Sequence, residues 1–198
     1  VTEQPEEHIY RNSFGEFPML DRNLGAVRAD RGTSRNEWYE SLGLVYQWGR
    51  KDPFLYKQPT ANDSGYSTES ATVPLREAMA HPNTFYISHT NWHDEDNLQL
   101  WSSVQKTIYD PCPAGYTVAN INAMRSFTKT EENVWENSSN LNVAESFVRG
   151  WDFIYDGTNT AYYPNDNAIS YNGNFDGFNY DSTEGDVELW TSESVTNN

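Results

Sequence analysis

The chain has 198 residues, a length that suits one domain or one domain with an appended piece. Hydrophobic residues make up 36% and aromatics 15%, so despite a mean hydropathy of -0.82 the composition excludes an acidic disordered chain, which would be poor in rings. Its net charge of -16, with no basic run longer than Arg50-Lys51, excludes a phosphate-backbone partner, and no apolar stretch has the length of a membrane span.

In chain order, residues 17–21 form a short apolar strand entering a turn at Asn23 to Gly25. Ser34 and Glu37 make a capping box, and Trp38, Leu42, Val45 and Tyr46 follow at helical spacing. This predicts an amphipathic helix that stops near Gly49 and before Pro53. Residues 55–100 read as a long irregular insertion, polar over 60–72 and interrupted by the apolar piece 84–87.

Residues 107–110 predict a strand running into the corner Pro111-Cys112-Pro113. Asn120 is an N-cap for a second, shorter helix with Ile121, Met124 and Phe127 on one side. From Phe147 onward the pattern is strand and loop: residues 151–155 precede the turn pair Asp156-Gly157, and Asn172-Gly173 and Asp176-Gly177 mark further turns. Residues 189–191 predict a last short strand. Two modest helices among many short strands, without a repeat, give an α+β class.

The charge is uneven, because residues 113–198 hold only 3 of the 13 basic residues but 13 of the 29 acidic ones. The same region concentrates rings among Asn, Asp and Gly: Trp151, Tyr155, Tyr162, Tyr163, Tyr171, Phe175, Phe178, Tyr180 and Trp190. Such rings suit sugar faces and protein epitopes, and they equally suit the small core of a loop-rich fold. Trp151, Tyr155, Tyr162, Tyr163, Tyr171, Phe178, Tyr180 and Trp190 are the candidate ligand-binding residues.

Asn172, Asn174 and Asp176 alternate like the first half of an oxygen-ligand loop, which makes calcium the cofactor candidate. The second half departs from that pattern, with Thr183 where the bidentate Glu belongs and Glu184 one place late. His89 and His93 have a zinc spacing, but Thr90 stands where a zinc-protease helix carries Glu, so a solvated loop is expected. No nucleophile elbow, phosphate loop or dinucleotide fingerprint occurs, so no enzymatic activity is expected; polysaccharide hydrolysis is the weakest alternative. The single Cys112 is either an ordinary buried thiol or the partner of a cysteine elsewhere.

Three blocks occur in order: Met19-Leu20-Asp21-Arg22-Asn23-Leu24-Gly25-Ala26, then Gly43-Leu44-Val45-Tyr46-Gln47-Trp48-Gly49-Arg50-Lys51-Asp52-Pro53-Phe54, then Tyr109-Asp110-Pro111-Cys112-Pro113-Ala114-Gly115-Tyr116. Weaker segments, Phe175-Asp176-Gly177-Phe178 and Leu189-Trp190-Thr191-Ser192, extend the likeness. Together they resemble the Fibrobacter succinogenes major paralogous domain of exported surface and pilus-tip-like proteins in Bacteroides-type bacteria.

The resemblance implies a C-type-lectin-like fold over 1–198, export to the cell surface, and a role in binding or adhesion, with a glycan, a host or bacterial surface protein, or fibre subunits as partners. Family members continue past the Trp-Thr-Ser segment into a strand pair ending near Val-Arg-Cys-Val. The expectation is therefore a domain lacking its C-terminal strands, whose missing cysteine would pair with Cys112. Ala119-Asn120 stands where the family has a Pro-Ser or Pro-Thr cap. Within the blocks, Asp21, Arg22, Asn23, Arg50 and Asp52 are expected to serve the framework rather than a ligand, as are Trp38 and Trp48.

Overall fold

A computed structural model describes residues 4–54, 66–88, 92–94, 99–131, 140–147, 150–165, 168–169, 175–176, 189 and 191–192 of the chain. The architecture is mixed α+β, as expected: among the described residues three helices accompany small separate sheets.

The chain begins with an antiparallel hairpin, β1 (Glu7–Asn12) and β2 (Gly15–Leu20), in which Asn12 faces Gly15 across a two-residue turn. Asn12 closes that turn by accepting from the Phe14 N–H at 2.8 Å, and its amide donates to Asn122 O and Ser126 Oγ, both at 2.8 Å. One Asn thus forms a local turn and ties it to a segment more than a hundred residues away.

Helix α1 (Arg35–Leu42) starts where the capping box places it. Ser34 Oγ accepts from the Glu37 N–H at 3.3 Å, and Glu37 Oε2 accepts from the Ser34 N–H at 3.0 Å. The helix does not continue toward Gly49. It ends at Gly43, whose φ of 80° no side chain adopts easily and whose added Cβ would stand 2.7 Å from Leu24 O. The turn at 23–26 is wedged against that point: Leu44 N–H donates to Leu24 O at 2.8 Å, and Asn23 Nδ2 donates to Leu42 O at 3.2 Å. Val45 pairs instead with Phe54 in an isolated bridge.

The region expected to be irregular holds regular structure over 66–88. Strand β3 (Ser67–Glu69) lies parallel to β4 (Thr84–Tyr86), with helix α2 (Leu75–Ala80) between them in the chain. Val73, Leu75, Ala78, Tyr86, Trp92 and Leu100 form one buried cluster here, with Trp48 and Tyr109 packed on its border.

Residues 107–110 are not a strand. Asp110 N–H donates to Thr107 O at 3.3 Å, closing a turn. The fully buried Asp110 carboxylate accepts from Lys106 Nζ (2.8 Å), Cys112 N–H (2.8 Å) and Val118 N–H (3.0 Å). A buried carboxylate holding three donors bends the Pro-Cys-Pro corner in a way that a strand ladder would not allow.

Helix α3 (Ile121–Met124) is capped by Asn120, which accepts from the Ala123 N–H at 3.1 Å, and it tightens into a 3-10 turn over Arg125–Phe127. An antiparallel sheet then joins β5 (Val143–Phe147), β6 (Gly150–Asp156) and β7 (Asn159–Pro164); β8 (Ala168–Ile169) pairs with β9 (Phe175–Asp176). Leu189 and Thr191 carry no strand pairing, and Trp190 lies outside the described residues. A second buried cluster of Tyr10, Met124, Phe127, Phe153, Ala161 and Tyr163 joins the first hairpin, α3 and the β5–β7 sheet.

Candidate functional site

Strand alternation puts Trp151, Phe153 and Tyr155 on one face of β6. That face covers the cluster around Tyr10 and Phe127; Phe153 is buried, and Trp151 and Tyr155 are half-buried against it. The Tyr155 ring stacks on His8, with centroids 4.4 Å apart and planes at 14°.

Tyr162 and Tyr163, expected in a binding face, are instead core residues, only 6% and 3% exposed. Tyr163 lies across from Trp151 and shares a 3.3 Å hydroxyl contact with Tyr10, and burial pushes its phenol up to about 12. Tyr162 points to the other face, where its hydroxyl interacts with the side chains of Trp38 and Ser41 in α1; burial raises it as well. Neither ring offers a face to a ligand, because adjacent strand residues in this sheet meet packing on both sides. Tyr171, Phe178, Tyr180 and Trp190 lie outside the described residues.

Asn172 and Asn174 of the calcium candidate lie outside them too, while Asp176 ends β9. His89 is outside, and His93 is buried edge-on to Trp92 at 5.1 Å. Among the described residues no group of three His, Cys, Asp or Glu side chains is placed to hold a metal ion.

The motif blocks converge. A cleft of about 270 Å³ is lined by Leu20, Arg22 and Leu24 of the first block, Tyr46 of the second, and Pro111 and Pro113 of the third. Burial pushes the Tyr46 phenol up to about 12, with the nearby Cys112 adding to it. Cys112 itself is half-buried, and its thiol is pushed up to about 12, first by burial and then by Asp110. Periodicity had placed Tyr46 on a helix face; no sequence signal identified it as a wall between blocks.

The charged block residues serve the framework. Arg22 pairs with its neighbour Asp21 through two bonds of 2.8 and 2.9 Å, both side chains buried, and donates to Val27 O at 3.0 Å. Arg50, 5% exposed, spends its guanidinium on the end of α2 and the chain beyond. Nη1 donates to Thr84 O (2.6 Å) and Gln47 Oε1 (3.3 Å); Nη2 donates to the carbonyls of Ala78 (3.0 Å), His81 (3.2 Å) and Pro82 (3.2 Å). Of these carbonyls that of Ala78 belongs to the last turn of α2, and those of His81, Pro82 and Thr84 lie just beyond it. Asp52 is exposed. Trp38 is fully buried, and Trp48 borders the cluster around Trp92.

Among the described residues no helix is long and apolar enough to cross a membrane. Comparison of the chain with family models, curated proteins and solved structures finds no match.

Proposed function

We propose that the chain is a non-enzymatic binding module of an exported bacterial surface protein, a C-type-lectin-like domain of the Fibrobacter succinogenes major paralogous type. Its partner in this reading is a glycan or a surface protein, met by the aromatic and polar residues within 166–192. The observation that carries the reading is the meeting of the three motif blocks around one cleft while Arg22, Asp110 and the terminal nitrogens of Arg50 are bonded inside the framework. A scaffold whose motif charges hold the chain together leaves recognition to segments outside the three main blocks. Tyr171, Phe178, Tyr180 and Trp190 are the contact residues in this proposal.

Glycan-array binding and pull-down from surface-protein extracts test it, comparing the chain with a Tyr171→Ala/Tyr180→Ala variant. Binding that falls in the variant supports the reading, and silence with every ligand class counts against it. Exposed Val104 and Ile108 in the 102–110 segment favour a second reading, a spacer or assembly domain of a surface fibre. That reading requires self-association as concentration rises, measured by sedimentation velocity.

A further inference from the structure

Arg50 is a buried cation whose hydrogen-bond partners are all neutral. Its four terminal-nitrogen hydrogens go to backbone carbonyls and to Gln47, and its guanidinium carbon lies 5.2, 5.6 and 5.8 Å from the ring centres of Phe54, Tyr86 and Trp92. Among the described residues no carboxylate stands within ion-pair distance of it, although Asp52 acts on it from farther off, and its Nε–H donates to none of the acceptors its terminal nitrogens use. Buried charges in proteins are ordinarily paired at contact distance, whereas Asp52 reaches this guanidinium only from beyond that distance.

A crevice of about 80 Å³ adjoins it. Arg50 and the exposed Lys51 line one side, and Leu75, Met79, Trp92 and Ile108 form much of the rest. Met79 and Ile108 are 56% and 72% exposed, which leaves an apolar rim around a cationic floor. The space holds a few waters or one small polar group in their place.

We propose that this crevice binds a small organic carboxylate bearing a short apolar group. The carboxylate accepts from Arg50 Nε–H and Lys51 Nζ, and the apolar group rests on Met79 and Ile108. A carboxylate suits the floor better than a phosphate: only two donors are offered, Asp52 also lines the mouth, and a chain of net charge -16 repels a dianion more strongly. This site does not involve residues 166–192, so it stands or falls separately from the glycan or protein reading.

The test is titration of the isotope-labelled chain with isobutyrate, and with isobutyramide as its neutral isostere, at matched ionic strength, following backbone amide NMR signals. The expected result is saturable shifts over residues 49–52 and 108–109 with isobutyrate and none with isobutyramide. Lys51→Gln weakens that binding roughly fivefold, as loss of one partly exposed charge contact does. A second variant, Ile108→Asp, places a like charge at the mouth and abolishes the shifts while the remaining spectrum is unchanged. No saturable shift, equal shifts with the amide, or shifts confined to other regions would each overturn the assignment.

Discussion

Replacing Arg50 by Met removes the donor from four backbone carbonyls at once, those of Ala78, His81, Pro82 and Thr84. A buried acceptor left unmade costs about 1–3 kcal/mol. Two of the four keep another partner, since Ala78 O accepts from the His81 N–H at 3.3 Å and His81 O from the Thr84 N–H at 3.1 Å. The Met side chain also relieves the desolvation of the guanidinium, a burial cost reflected in the lowered pKa of Arg50. The losses fall mainly on Pro82, an exposed residue, and Thr84, a half-buried one, whose carbonyls regain part of their hydration, so the net cost is about 2 kcal/mol.

At roughly 2–4 °C per kcal/mol for a chain of this size, that cost lowers Tm by roughly 4–8 °C. Urea unfolding followed by Trp fluorescence, with a thermal scan alongside, measures both quantities. Lys51→Met is the control, an exposed neighbour whose replacement stays within about 0.5 kcal/mol of the parent. An Arg50→Met variant within 1 kcal/mol of the parent would refute the view that Arg50 holds the end of α2.

Further expectations follow from the same contacts. Asp21→Ala leaves Arg22 buried without its carboxylate and costs about 3–5 kcal/mol in urea, whereas the double variant Asp21→Leu/Arg22→Met recovers most of it; equal losses would contradict the buried pair. Glu37 is held at about 2, below its ordinary 4.5, first by the Thr33 backbone N–H and then by the Thr33 and Ser34 hydroxyls. A folded value below the unfolded one means the stabilisation is present above pH 4.5 and drains as pH falls toward 2, so Glu37→Gln flattens that acid limb of the urea midpoint; an unchanged limb refutes the contribution. With its thiol pushed up to about 12, Cys112 stays protonated at pH 8 and reacts with a thiol reagent at least roughly a hundredfold more slowly than in the urea-unfolded chain. Equal rates in the two states would show the thiol to be open.

The elements legible in the residues are those held by contacts a few positions apart. The capping box of Ser34 and Glu37, the Asn120 cap and the alternation of 151–155 each involve near neighbours, so residue type and spacing are enough to place them. The α+β class follows from the same local signals. Where α1 stops was not legible, because Gly43 becomes an end only when the turn at 23–26 packs beside it. The small β–α–β unit in 66–88 was hidden because its three-residue strands are too short to show a period, and parallel pairing joins residues 17 positions apart.

The aromatic residues mark the same boundary more sharply. Composition placed rings in the C-terminal third and left core and binding face as equal alternatives. Alternation predicts that Tyr162 and Tyr163 point to opposite faces of β7, but not that both faces are covered. The long-range packing of Tyr10 on one side and α1 on the other makes both tyrosines core. Arg50 shows the same limit from the polar side: its block marks it as a framework residue, but only folding reveals that it sits under the end of α2. Short-range hydrogen bonds are written in neighbouring residues, while burial depends on which distant segment arrives to cover them.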